Sequence, residues 1–164
     1  MLNGGIMLQV GAKFPEFTLP NQDGVNKSLK DYAGQWLVLY VYPKDDTPGC
    51  TIQGKSFTTR QEEFDDNGIV VVGLSADDVD SHKSFCTKHS FSIDLLADPE
   101  AKLLTETGIP QTEYKDSKYW ERTTFVIDDK GIIRKIYNKV TPEGHERVLL
   151  AEIAGLRKAA STPA

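Results

Sequence analysis

The sequence predicts an α/β fold in which a mixed central sheet is flanked by helices and preceded by an N-terminal β-hairpin. Three observations predict it. Trp36 to Tyr42 and Ile69 to Ser75 are near-continuous apolar, β-branched and aromatic runs, the mark of strands buried on both faces. Amphipathic patterns of helical period alternate with such runs. Two later strand patterns, Thr123 to Ile127 and Ile132 to Tyr137, are joined by Asp128-Asp129-Lys130-Gly131 and followed by a last helix. Alternating strands and helices bring parallel pairs and the hairpin brings antiparallel ones, so the sheet is mixed.

Taken in order, residues 1–13 read as a loosely held arm, least ordered over 1–10. Met7 is as good a start as Met1. Glu16 to Leu19 and Lys27 to Leu29 flank the turn Asn21-Gln22-Asp23-Gly24, a hairpin signal. Asp31 to Gln35 is a short helical turn closed by Gly34. After the strand at Trp36, one helix is expected from Pro48 to Asp66. Cys50, Gly54, Phe57, Gln61 and Phe64 share its stripe, and Asn67-Gly68 forms a left-handed cap. Asp77 to His89 is a helix capped by Asp77 or Asp78. Ile93 to Ala97 is a short strand. A helix opens at Asp98-Pro99 and closes at Gly108. Residues 109–121 show no period and read as a loop. Thr141-Pro142-Glu143 caps the last helix, which buries Leu149, Ile153 and Leu156. Residues 160–164 are expected to fray.

The 164 residues make one domain, long enough to need no disulfide or metal staple for its core. A net charge of −5 argues against nucleic acid or an anionic membrane as the partner. No apolar run reaches the length of a membrane span, and the start lacks a basic and apolar leader, so a cytoplasmic location is expected. Two cysteines in such a chain point to redox or catalytic use rather than scaffolding. No long exposed apolar strand is evident, which favours a monomer.

Function concentrates in Tyr40 to Cys50, YVYPKDDTPGC. The strand stops at Pro43, which has no N–H to give a ladder. Thr47 suits an N-cap and Pro48 a first helical position. Cys50 then falls in the first turn of a helix leaving a central strand. Free backbone N–H groups and the helix dipole there favour the thiolate, which is the nucleophile. A structural cysteine is the plainer reading, and the helix-start context outweighs it.

An order of β-α-β-α-β-β-α with a nucleophile at the first strand–helix junction is the thioredoxin-like arrangement. In place of Cys-x-x-Cys stands Thr47-x-x-Cys50. Pro43-x-x-x-Thr47-x-x-Cys50 resembles the peroxiredoxin motif. The stretch YPKDDTPGCT is similar to the bacterioferritin comigratory protein subfamily, or peroxiredoxin Q, with likeness from Gly11 to the final helix. The resemblance implies a cofactor-free enzyme that reduces peroxides and is recharged by thioredoxin or a glutaredoxin-like reductant. It implies that Cys50 is the peroxidatic thiol, that Thr47 offers it a hydroxyl, and that Pro43 shields it. With Gly49 these groups line the peroxide site. Arg122, in Glu121-Arg122-Thr123-Thr124-Phe125, matches the family's active-site arginine; by itself it would read as a solvated strand-end charge. Many subfamily members carry a second cysteine five residues after the first. Lys55 stands there; other members are similar to this chain in placing the resolving thiol at Cys86, 36 positions on, and the resemblance favours that role over a buried structural thiol. If Cys86 is inert, the enzyme is a one-cysteine peroxidase.

Three other readings compete. His82, Cys86 and His89 share a helical face, but about 10 Å of rise separates the ends, too far for one ion. No metal is expected, and the histidines read as surface or half-buried. A thioredoxin-type reductase would need a cysteine where Thr47 stands. A binding module without catalysis is separable by peroxide consumption.

Overall fold

The computed structural model describes residues 6–161; the expectations for 1–5 and 162–164 lie outside the described residues. A five-stranded sheet forms its centre. Its strands are β3 (Trp36–Val41), β4 (Ile69–Ser75), β5 (Asp94–Ala97), β8 (Thr123–Ile127) and β9 (Ile133–Tyr137), in the order β5-β4-β3-β8-β9. The β3–β4 and β4–β5 pairs are parallel; β3–β8 and β8–β9 are antiparallel. The expected mixed sheet is therefore present, with β3 at its middle.

The alternation of β3 sorts the core into two clusters. Trp36, Val38, Tyr40 and Tyr42 face one cluster, which also holds Cys50, Phe57, Phe64, Phe85, Cys86, Phe91, Leu149 and Ile153. Leu37, Leu39 and Val41 face the other, with Phe14, Leu103, Leu104 and Phe125. Successive strand residues point to opposite faces, so a wholly apolar strand must be covered on both. On the first face lie α1 (Pro48–Thr59), α2 (Gln61–Asp66), α3 (Val79–His89) and α5 (His145–Ser161). On the second lie α4 (Lys102–Thr107) and the N-terminal segment. No helix among the described residues is long and apolar enough to cross a membrane.

Several expectations are corrected. The N-terminal segment is not loose over 8–14: Leu8 N–H donates to Thr107, Gly11 to Ile133 and Phe14 to Gly131. The helix expected over 48–66 is two, broken at Arg60 (φ −104°, ψ 13°). No Gly or Pro marks the break; Arg60 Nε lies 3.3 Å from Glu146 Oε2 of α5. The helix end is as expected: Asn67-Gly68 forms the left-handed cap, with Asn67 at φ −100° and Gly68 left-handed at φ 69°. The expected loop 109–121 contains a hairpin, β6 (Gln111–Tyr114) and β7 (Ser117–Trp120), turned by Lys115 and Asp116 with φ of 50° and 65°. The N-terminal hairpin is present as β1 (Thr18–Pro20) and β2 (Asn26–Ser28). The helix expected from Asp98 starts at Lys102; Asp98 reaches forward instead to accept from the Lys102 and Leu104 N–H groups. The final helix starts at His145, after Gly144 at φ 79°, rather than at Thr141-Pro142-Glu143.

Candidate active site

Cys50 is the third residue of α1, 1% exposed. Thr47 is the N-cap residue with extended backbone (φ −99°, ψ 157°), and Pro48 takes the first helical position as expected. The Thr47 hydroxyl donates to the Lys44 carbonyl at 3.0 Å, so its single proton is not on the sulfur in this state. The Thr47 carbonyl instead receives the Thr51 N–H and hydroxyl, at 2.9 and 2.8 Å.

Arg122, one residue before β8, reaches across to α1. Its Nη1 lies 3.6 Å from Cys50 Sγ and 2.5 Å from Gln53 Oε1. A guanidinium at that distance can bind developing negative charge on a peroxide oxygen. Gly49 makes the approach possible. A Cβ there would stand 2.7 Å from Arg122 Nη2 and 3.3 Å from Pro142 Cγ. Helix α1 thus opens with a proline for its start and a glycine for the arginine, and the sulfur follows.

Gln53 is a site residue that sequence reasoning missed. It is buried, accepts from Arg122 and leaves its Nε2 without a hydrogen-bond partner among the described residues. The available signal was its spacing, three residues after Cys50 on one helical turn.

Beside Gly49 and Arg122 opens a cleft of about 550 Å³. Pro43, Lys44 and Thr47 line it from the chain before α1, and Tyr114 and Trp120 from the unexpected hairpin. The structure thereby brings together four of the six predicted site residues at one mouth: Pro43, Thr47, Gly49 and Arg122. The fifth, Cys50, lies just beneath Arg122.

The sixth, Cys86, is not at that mouth. It sits on α3, 7% exposed, in the same core cluster as Cys50, and both thiols are free. Burial, then the carboxylates of Asp45, Asp23 and Asp94, push the Cys86 thiol up to about 12, against a pull from Lys83. It is a neutral thiol in this state.

Of the two histidines expected at or near the surface, His89 is half-buried as expected and His82 is not. His82 and His145 are buried. His82 Nδ1 lies 2.7 Å from Asp45 Oδ2 and its Nε2 lies 2.9 Å from the Leu96 carbonyl. Asp45, Asp77 and His82 gather their ligand atoms within 4.8 Å of one another. Protein donors already occupy them: the Tyr42 and Ser81 hydroxyls on Asp45, the Asp45 N–H and Ser75 hydroxyl on Asp77. The cluster is a hydrogen-bond network between the Cys50 loop and α3.

The chain as a whole is similar to known proteins. The AhpC/TSA family model matches residues 10–136. A putative peroxiredoxin bcp of Coxiella burnetii is 38% identical over 151 residues, 90% of this chain and 97% of that one. The chloroplastic peroxiredoxin Q of Populus jackii is 42% identical over 132 residues, 80% of this chain and 61% of that one. Among solved structures, a cysteine-to-serine mutant of Xylella fastidiosa PrxQ superposes with a TM-score of 0.88 at 32% identity, covering 93% of this chain and 99% of that one. The Xanthomonas campestris bacterioferritin comigratory protein superposes at 0.80, also 32% identical, over 92% of this chain and 98% of that one. With its family model matched over most of the chain and its thioredoxin-like sheet shared with these proteins, this chain belongs to the AhpC/TSA family, among its thiol peroxidases of the bcp and peroxiredoxin Q kind.

Proposed function

We propose that this chain reduces hydrogen peroxide and organic hydroperoxides through a sulfenic acid on Cys50, resolved by an intramolecular Cys50–Cys86 disulfide. The observation that carries the reading is Arg122 Nη1 at 3.6 Å from Cys50 Sγ, at the edge of an open cleft. The thiolate attacks one peroxide oxygen; the O–O bond breaks and the alkoxide or hydroxide leaves, taking a proton to become alcohol or water. Cys50 is left as sulfenic acid. The cleft wall of Tyr114, Trp120 and Val140 suits the apolar part of an organic hydroperoxide. Alkyl peroxide reduction is named for the Xanthomonas campestris relative.

The thiol of Cys86 then attacks the sulfenic sulfur, an S–S bond forms and water leaves. Support comes from two cysteine-to-serine mutants of Xanthomonas campestris peroxiredoxin Q, whose replaced cysteines are 36 positions apart, the spacing of Cys50 and Cys86. Because Cys86 is buried and neutral, the step needs parts of α1 and α3 to loosen first. The loosened disulfide is then open to thioredoxin or a glutaredoxin-like reductant, and the enzyme works as a cytoplasmic monomer. The burial of Cys86 equally favours a second reading, a one-cysteine peroxidase resolved by an outside thiol.

One experiment separates the two. The reduced protein receives one equivalent of peroxide and is mapped under non-reducing conditions. A Cys50–Cys86 peptide supports the intramolecular route; a persistent Cys50 sulfenic acid supports the one-cysteine route. Peroxide consumption by Cys50→Ser would overturn both.

A further inference from the structure

Two consecutive carboxylates, Asp45 and Asp46, both reach from the Cys50 loop to α3, and they reach it on either side of Cys86. Asp45 is buried. Its Oδ2 accepts from the Ser81 hydroxyl at 2.8 Å and faces His82 Nδ1 at 2.7 Å; its Oδ1 accepts from the Tyr42 hydroxyl at 2.7 Å. His82 is fully buried, and its other nitrogen donates to the Leu96 carbonyl, which ties α3 down to β5. Asp46 takes the other end of the helix. Its Oδ2 accepts from Lys88 Nζ at 2.8 Å and its Oδ1 lies 3.1 Å from His89 Nε2. The lysine and histidine hold its carboxyl below the usual aspartate range.

The spacing gives these contacts their meaning. His82 stands four residues before Cys86 and His89 three after, about one helical turn each way. Neighbouring side chains on an extended chain diverge, so two adjacent carboxylates seldom grip one helix. Here Asp46 is left-handed, at φ 59°, and that turn of the backbone brings both to α3. Four residues after Asp46 is Cys50. Neither carboxylate touches the sulfur or lines the peroxide cleft.

We infer that Asp45 and Asp46 are positioning residues, a two-point clamp between the Cys50 loop and the Cys86 helix whose release sets how fast the sulfenic acid becomes a disulfide. The inference rests on Cys86 being the resolving thiol. Two fates compete for the sulfenic acid. Attack by Cys86 forms the S–S bond and releases water. Attack on a second peroxide breaks its O–O bond, adds oxygen to the sulfur as sulfinic acid, and releases alcohol or water. A tight clamp slows the first fate and leaves more time for the second.

The test is rapid-mixing kinetics with acid quench and mass mapping, alongside amide hydrogen exchange of the reduced protein. Asp46→Asn keeps the shape, tolerates left-handed backbone and lies at the surface, so it folds. It is expected to leave the first peroxide step within about twofold and to speed disulfide formation by about two- to fivefold, the range an exposed ion pair supports. Sulfinic acid at a fixed peroxide excess falls with it. Exchange across 79–89 rises. Asp45→Asn, at the buried end, is expected to speed disulfide formation on the order of tenfold or more. Unchanged exchange over 79–89 in Asp46→Asn overturns the clamp, as does disulfide formation that is unchanged or slower. If the parent forms no Cys50–Cys86 link, the role of Cys86 falls, and exchange over 79–89 alone decides whether the clamp holds the helix.

Discussion

The ring of Phe91, just past α3, occupies the space that a side chain at Gly54 of α1 would need: a Cβ there would collide with its Cζ and both Cε atoms. The helix of Cys50 thereby touches the end of the Cys86 helix through a glycine and a phenyl ring. Phe91 is held in turn against Phe85, edge-on at 4.9 Å, and stacked with His89 at 5.4 Å.

Gly54→Ala sets two effects against each other. Alanine in a helix interior gains about 1 kcal/mol over glycine. Overpacking against the ring costs typically about 1–3 kcal/mol. The collision is with ring carbons wedged between two aromatics, so the cost wins and net destabilisation of up to about 2 kcal/mol is expected. Urea unfolding of the reduced protein measures it, and a higher midpoint for the variant would refute the packing argument.

Removing the cation at the sulfur should slow chemistry without unfolding the chain. Arg122→Ala is expected to lower the rate of peroxide attack on the order of 100-fold, as losing one preorganised donor does. Arg122 is half-buried ahead of β8, outside both core clusters, so the thermal midpoint should move little. An unchanged rate would place the operative charge elsewhere, with Lys44 or Lys139 at the cleft as the next candidates.

Gln53→Ala tests orientation apart from charge. It leaves the guanidinium present but removes the oxygen that holds it at 2.5 Å. A drop of about tenfold in peroxide attack is expected, smaller than for Arg122→Ala, since 1.4 kcal/mol of lost alignment is a factor of ten. A larger loss than in Arg122→Ala would mean that Gln53 touches the peroxide itself.

The two thiols should differ sharply towards an alkylating agent. With its thiol pushed up to about 12, Cys86 is below one part in about a thousand thiolate at pH 8 while folded. Iodoacetamide at that pH is expected to label Cys50 first, with Cys86 joining only where urea loosens α3. Equal labelling of both cysteines in the native protein would contradict the raised thiol described for Cys86.

Burial also holds His145 down to about 4, where it lies 2.9 Å from the Thr124 hydroxyl. Its folded value is below its unfolded value near 6.5, so the unfolded chain binds the extra proton. This contribution to stability is complete above about pH 6.5 and is lost as pH falls towards 4. A loss on the order of 1 kcal/mol is expected between pH 7 and pH 5. His145→Gln should flatten that part of the profile; an identical slope in the variant would assign it to other groups.

The strands of the sheet were legible because double-sided burial forces continuous apolar runs. The site was legible where its parts are contiguous, from Pro43 to Cys50, and Arg122 was legible only by its resemblance. What was hidden depends on distance along the chain. Asp45 and His82 are 37 residues apart, and neither alone carries a signal. The β6–β7 hairpin was hidden for a different reason: Gln111–Tyr114 is exposed throughout, so no alternation marks it, and its turn uses Lys115 and Asp116 instead of glycine. The break at Arg60 was hidden because no Gly or Pro marks it.

The parity of β3 divides labour as well as burial. Odd positions serve a cluster closed by α4 and the N-terminal segment, which contains neither cysteine. Even positions serve the cluster in which Cys50 and Cys86 are embedded. A catalytic cycle that disturbs the even side can leave the odd side packed as a keel. If α1 and α3 loosen as proposed, the two helices redock on a standing sheet, onto a surface already in register.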